Sequence, residues 1–281
     1  MKEFLKKWIP APLRPALRWA YYAPLDAWER ISGKRDALTP PRSLWFVGGG
    51  DFKKAGRKFL TFFVDLGGLT PGERVLDIGC GIGRMAVPLT EYLSHEGRYE
   101  GFDIVEPGIR WCTKTITPRF PHFRFQVADL YNKTYNPKGK YSATDYPFPY
   151  PDASFDFALA TSLFTHLLPR DTDHYIQEIS RVLAPGGRCF ATFFLLNAES
   201  EGLIAQGKSE RSFSHPVPGC RVNNPDVPED AVAYPEEELI ALIARHGLRL
   251  RGPIRYGKWP GRSEWLSYQD VLIFEKPPGG P

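Results

Sequence analysis

Val75-Leu76-Asp77-Ile78-Gly79-Cys80-Gly81-Ile82-Gly83-Arg84 is the stretch whose reading decides the fold. An apolar run from Arg74 to Ile78 has the length of a buried strand, and a helix is expected from Arg84 to Leu93. Between them, three glycines at alternate positions let the backbone turn tightly with no Cβ facing a ligand. The helix that follows aims its unpaired N–H groups and positive dipole end into the same turn. Such a turn can hold a nucleotide-like or carboxylate-bearing ligand against bare backbone.

Spacing separates this turn from others of its kind. A dinucleotide fingerprint reads G-x-G-x-x-G; here the pattern is Asp-x-Gly-x-Gly-x-Gly, with the acid Asp77 two residues ahead of Gly79. A second strand, Tyr99 to Ile104, ends in Asp103, twenty positions beyond Gly83. A third, Phe123 to Ala128, runs into Ala128-Asp129-Leu130, and Pro185-Gly186-Gly187 forms a late turn. In this order the motifs resemble those of the class I S-adenosylmethionine-dependent methyltransferases, over roughly residues 50–195.

The resemblance implies a Rossmann-like α/β domain: a seven-stranded, mostly parallel sheet with helices on both faces and an antiparallel last strand. A helical N-terminal extension precedes it. It also implies S-adenosylmethionine as cofactor, S-adenosylhomocysteine as product, and no metal. The cofactor-binding set it implies is Asp77, Gly79, Cys80, Gly81, Gly83, Asp103, Ile104, Ala128, Asp129, Leu130 and Thr161. A carboxylate at Asp103 can accept both ribose hydroxyls of an adenosine; the alternative is a surface acid at a strand end. Asp129 is expected beside the adenine amino group, or else as an N-cap or a solvated loop acid.

The fourth strand, Phe155 to Thr161, is near-continuously apolar, as a strand covered on both faces should be. It delivers Thr161-Ser162-Leu163-Phe164-Thr165-His166 to the carboxyl edge, where open α/β sheets bind ligands. His166 is the candidate general base for an acceptor hydroxyl or amine; a helix-start histidine bonded to backbone is the plainer reading. Helices are expected at 53–66, 109–116, 171–183 and 235–246, and strands at 188–196, 250–259 and 270–276. Residues 131–151 carry Tyr131, Tyr135, Tyr141, Tyr146 and Tyr150 without periodicity, suited to stacking on flat groups or to plain loop packing. Residues 197–234 read as an irregular lid or acceptor-binding insertion.

The chain has 281 residues, 42% hydrophobic, enough for one large domain. Its division is expected at 1–45, a basic, Trp-rich amphipathic extension, and 46–281, the catalytic domain. Prolines 10, 12, 15 and 24 are expected to break the extension into short helices. Residues 1–36 hold eight Lys/Arg against four Asp/Glu, so their net of +4 equals that of the whole chain. One reading is a segment lying on an anionic membrane, which would make a cytoplasmic protein peripheral on the inner membrane face. The other is a cap of helices with tryptophan as ordinary core. Gly48-Gly49-Gly50-Asp51 is either a cofactor cover or a hinge. Four scattered cysteines with no C-x-x-C pair argue against a zinc site or a disulfide framework.

The acceptor expected is a small molecule, a sugar or a lipid-linked group. The absence of a basic face with interleaved aromatics beyond residue 36 counts against nucleic acid. Two rivals stand beside the enzyme reading: a catalytically silent binding or scaffold protein of the same fold, and an NAD-dependent oxidoreductase.

Overall fold

The computed structural model describes residues 14–45, 50–132 and 136–279. Its main sheet has seven strands: β1 (Arg74–Ile78), β2 (Arg98–Asp103), β3 (Phe123–Val127), β4 (Phe155–Ala160), β5 (Leu183–Phe193), β10 (Arg249–Leu250) and β11 (Asp270–Glu275). Their order is β10-β11-β5-β4-β1-β2-β3. The five strands from β5 to β3 run parallel, and β11 lies antiparallel between β5 and β10.

Alternation along the strands explains why both faces are covered. Leu76 and Ile78 of β1 and Ala158 and Ala160 of β4 join a core with α5 (Pro169–Val182) and α7 (Glu236–Arg245). Val75, Phe157 and Leu159 point the other way, into a core with α2 (Phe52–Asp65), α3 (Ala86–Tyr92) and α4 (Glu106–Thr115). A strand buried on both sides should be largely apolar, and β1 and β4 are, with Asp77 and Asp156 as their acidic exceptions. Three of the expected helices begin two or three residues away: α3 starts at Ala86 rather than at 84, α4 at Glu106 rather than at 109, and α5 at Pro169 rather than at 171.

Four expectations are corrected. The insertion is not irregular: it folds into α6 (Ala198–Ala205) and the strands β7 (His215–Val217), β8 (Cys220–Val222) and β9 (Val232–Pro235). With β6 (Leu195–Leu196) these form a second sheet ordered β6-β9-β8-β7. Phe194, Leu196, Phe213, Ala231, Ala233 and Trp259 give it a small core of its own. The strand expected at 250–259 shrinks to Arg249–Leu250, because Gly252 takes φ +75 and Trp259 turns into that second core. The strand expected at 188–196 starts five residues earlier, at Leu183. It passes through the Pro185-Gly186-Gly187 turn with a register shift against β4, and the turn is held by Lys276 N donating to the Gly187 carbonyl.

The fourth correction concerns the extension. One continuous helix, α1 (Arg14–Ile31), contains Pro24. A proline at 24 cannot donate to the Ala20 carbonyl, but Ala20 and Pro24 are both exposed, so water can reach this turn of the helix. Pro15 falls in the first turn, where a missing N–H costs nothing; Pro10 and Pro12 lie outside the described residues. Trp45 stacks on Phe52 and Lys53 pairs with Asp36 at 2.8 Å, joining the extension to α2.

Candidate functional site

The Gly79–Gly83 turn begins where β1 ends. Gly79, Gly81 and Gly83 have φ of +79, +58 and +74, a region that side chains with a Cβ enter only at a cost. At Gly83 a Cβ would also lie 2.9 Å from Cys112 Sγ, so α4 packs directly on the turn. At Gly79 a Cβ would reach Leu163 at 3.3 Å, which places the loop after β4 over the start of the turn. Gly79 and Cys80 both donate their N–H to the Phe102 carbonyl, tying the turn to β2.

Asp103 ends β2 beside this turn and is half-buried. Its two oxygens each accept one backbone N–H, from Gly81 and from Val105, both at 2.8 Å. The carboxylate is thereby oriented, and each oxygen keeps acceptor capacity for one more donor. Burial raises its pKa despite those bonds, so the group is short of solvation and suited to receiving further donors. Asp129 sits on the neighbouring strand end, since Ala128 N donates to the Asp103 carbonyl. Its side chain is 44% exposed and lies 3.7 Å from Lys140. The structure therefore brings both acids to one edge of the sheet.

Asp77 is placed differently. It has no exposed surface and accepts a 2.6 Å bond from the Tyr99 hydroxyl, while its other oxygen has no partner. Burial, with the nearby charge of Asp103, raises its pKa to about 7 against the pull of Tyr99. Asp77 braces the turn from below. Cys80 packs against Gly101, and the Ala128 and Leu130 side chains belong to the core, so these three face a ligand only through backbone. Ile104 and Thr161 are half-buried at the strand ends.

His166 lies in a short helical turn, Phe164–His166, after β4. Its Nδ1 is 2.8 Å from the Glu229 carbonyl. A carbonyl can only accept, so Nδ1 carries the hydrogen and the neutral ring keeps Nε2 as its basic nitrogen. Glu229 belongs to the insertion, which thus sets the tautomer of the candidate base. A second tie comes from Tyr234 of β9, whose hydroxyl donates to the Leu167 carbonyl at 2.6 Å.

Sequence reasoning missed a polar cluster at the same edge. Ser162 adopts φ +56, a strained value for a residue with a Cβ. Its N–H donates to Thr192 Oγ1 at 2.7 Å, and its hydroxyl donates to Gln269 Oε1 at 2.9 Å. Thr192 also donates to Gln269, whose amide reaches Thr165. The signal available was the pair Thr161-Ser162 at a strand end; the partners at 192 and 269 are far away in sequence.

The tyrosine loop divides. Tyr146 and Tyr150 pack on the core, Tyr131 and Tyr141 stay more than half exposed, and Tyr135 is outside the described residues. Of the 48–51 stretch, Gly48 and Gly49 are also outside them, whereas Asp51 caps α2 by accepting the Lys54 N–H. A cavity of about 510 Å³ is lined by Glu100, Arg124, Gln126 and Tyr150 among others, none of them in the turn or at the acidic strand ends. Among the described residues no cluster of three His, Cys, Asp or Glu side chains is arranged to hold a metal.

Residues 75–187 match the family model described as a methyltransferase domain. A 27-O-demethylrifamycin SV methyltransferase from Amycolatopsis mediterranei is 33% identical over 149 residues, 52% of this chain and 48% of that protein. The chain thus spans about half the length of that relative. A solved S-adenosylmethionine-dependent methyltransferase from Methanosarcina mazei superposes with a TM-score of 0.51 and 22% identity, over 75% of this chain and 95% of that one. The 1,6-didemethyltoxoflavin-N1-methyltransferase of Burkholderia thailandensis, solved with its substrate and S-adenosylhomocysteine, gives 0.50 at 17% identity, over 96% and 91%. The match from β1 to the Pro-Gly-Gly turn lies on a fold shared with solved methyltransferases, and over residues 75–187 the chain is similar to S-adenosylmethionine-dependent methyltransferases.

Proposed function

We propose that the protein transfers a methyl group from S-adenosylmethionine to a hydroxyl or amine of a small-molecule, sugar or lipid-linked acceptor. The observation that carries the donor half is Asp103, fixed by two backbone N–H groups beside a bare glycine turn and left with acceptor capacity on both oxygens. Two vicinal hydroxyls fit that carboxylate, and the turn offers backbone with no Cβ in the way. Asp129 and the backbone of Ala128 and Leu130 lie one strand further along the same edge, in reach of the purine end. When bound, the donor supplies an electrophilic methyl on a sulfonium and leaves as a neutral thioether.

The rest is alignment and proton transfer by this chain. The glycine turn and the strand ends hold the donor, and the insertion limits water at the edge of β4. Such positioning accounts for much of the barrier reduction in a displacement of this kind. The Nε2 of His166 takes the acceptor's proton, and the imidazolium formed keeps its Nδ1–H on the Glu229 carbonyl. An oxygen acceptor on a small molecule is favoured by the Amycolatopsis relative, named for an O-demethylated compound.

Calorimetric titration with S-adenosylmethionine, S-adenosylhomocysteine and NAD, on wild type and Asp103→Ala, tests this. Binding of the two sulfur compounds should weaken by 10²- to 10³-fold in the variant, since two charged hydrogen bonds are worth about 3–4 kcal/mol. Binding of NAD alone would overturn the proposal. Tight donor binding with no turnover across a sugar, lipid and phenol panel would favour a silent binding protein.

A further inference from the structure

Helix α1 turns Asp26 and Glu29 to the protein and an apolar stripe away; Trp19, 65% exposed, lies on the Asp26 side two turns ahead of it. At 100° per residue, Leu17, Tyr21, Leu25, Trp28 and Ile31 fall on one stripe. Their exposures are 44%, 67%, 37%, 50% and 86%. The opposite face carries Asp26, only 8% exposed, and the half-buried Glu29. Asp26 accepts from Arg35 Nη1 at 2.9 Å and from the backbone N–H groups of Arg42 and Ser43, and Glu29 accepts from Arg42 Nε at 2.8 Å. Polar bonds therefore fix the helix's rotation, and they leave the apolar stripe facing outward.

The same arrangement sorts charge. Both acids of the helix point inward onto arginines, while Lys34, just past the helix end, is exposed with its Nζ 4.1 Å from the Trp28 ring centre, and Arg30 is exposed on the Asp26 side. An ammonium on a tryptophan that is itself half exposed suits the boundary between apolar and charged layers. All of the chain's net charge of +4 resides in residues 1–36. The thirteen residues ahead of α1 repeat the composition, with Lys2, Lys6 and Lys7 among Phe4, Leu5, Trp8 and Ile9. Among the described residues no helix is long and apolar enough to cross a membrane.

We infer that α1 lies flat on an anionic lipid surface, its stripe in the acyl boundary and its cations among the headgroups. Apolar area and attraction to anionic lipid add in such binding. A protein surface would need an apolar partner matched to this one helix, whereas a lipid surface requires only the stripe and the positive rim observed. The inference is independent of the proposed chemistry.

The test floats the purified full-length chain with vesicles of phosphatidylcholine alone or mixed with phosphatidylglycerol, at low and high salt. Circular dichroism melting confirms that each variant is folded. Flotation is expected with the anionic vesicles at low salt and should fall at high salt. Trp28→Ser with Ile31→Ser should abolish it. Arg30→Gln with Lys34→Gln should weaken it roughly 30-fold, at about 1 kcal/mol per cation near the surface. Failure of the full chain to float, or flotation unchanged by the serine pair or equal on neutral vesicles, would overturn the inference. A concentration-dependent dimer that the serine pair dissociates, without vesicle binding, would assign the stripe to a second copy instead.

Discussion

Replacing Asp77 by asparagine tests the electrostatics beneath the glycine turn. The carboxyl is fully buried, holds one hydroxyl donor, and has its pKa raised from 3.8 to about 7, mainly by burial. An acid whose folded pKa exceeds its unfolded one favours the folded state while it is protonated. That contribution is complete below about pH 4 and is lost as pH rises through 7. At 1.36 kcal/mol per pH unit the whole effect is about 4 kcal/mol, of which about 3 disappears between pH 5 and pH 8.5. Asparagine stays neutral, still accepts from Tyr99, and leaves an amide unpaired at a cost of about 1–3 kcal/mol. Wild type should therefore be the more stable protein at pH 5, and the difference should move by about 3 kcal/mol in favour of the Asp77→Asn variant at pH 8.5. Urea unfolding followed by far-UV circular dichroism at several pH values reads this directly. Parallel curves for the two proteins, or a variant that falls further behind at high pH, would refute the reasoning: Asp77 would then be ionised throughout and supported by a partner.

Further outcomes follow from other contacts. If His166 is the general base proposed above, His166→Ala should lower turnover by about 10²- to 10⁴-fold while leaving donor affinity in calorimetry unchanged. Gly83→Ala forces a Cβ to 2.9 Å from Cys112 Sγ at φ +74, and should cost about 1–3 kcal/mol in urea unfolding together with weaker donor binding. Arg188 is buried and paired through two nitrogens with Glu73 at 2.7 and 2.8 Å, and also bonds the Gly67 carbonyl. Arg188→Met should lower stability by about 3–5 kcal/mol, since a nearly buried carboxylate is left alone.

Much of this architecture was legible because the sheet is covered on both faces. Each central strand must then be a nearly continuous apolar run, and Phe155–Ala160, interrupted only by Asp156, reads as one. The turn at 79–83 was legible for a different reason, since three left-handed positions in five residues leave little choice but glycine. The insertion was illegible because β7 and β8 have three residues each, too few to show a period, and Val217, Cys220 and Val222 are ordered by packing on the main core, outside the segment. Ser162 was missed because Thr192, which holds its backbone N–H, and Gln269, which accepts from its hydroxyl, meet it only in the folded sheet. For α1 the pattern revealed a stripe but not its direction, which Asp26 and Glu29 decide through Arg35, Arg42 and Ser43.

The division between what was read and what was not follows the division of labour at the site. In the proposed reading the donor half rests on β1, β2 and β3, whose ends are adjacent in the sheet and ordered in the sequence, so motif spacing carries it. The proposed acceptor half draws on distant pieces: the loop after β4, Thr192 of β5, Gln269 before β11, and Glu229 and Tyr234 of the insertion. The insertion is anchored there, with Cys220 and Val222 in the main core and the hairpin turn at Gly219 against Pro169. A packed cap of this kind can change its acceptor preference by substitutions on its inner surface without disturbing the glycine turn. Deleting the Pro228–Asp230 turn, which removes the Glu229 carbonyl from His166, should therefore alter acceptor turnover and His166 orientation while donor affinity stays as it was. Donor affinity falling in step with acceptor turnover would show instead that the two halves fold and bind as one unit.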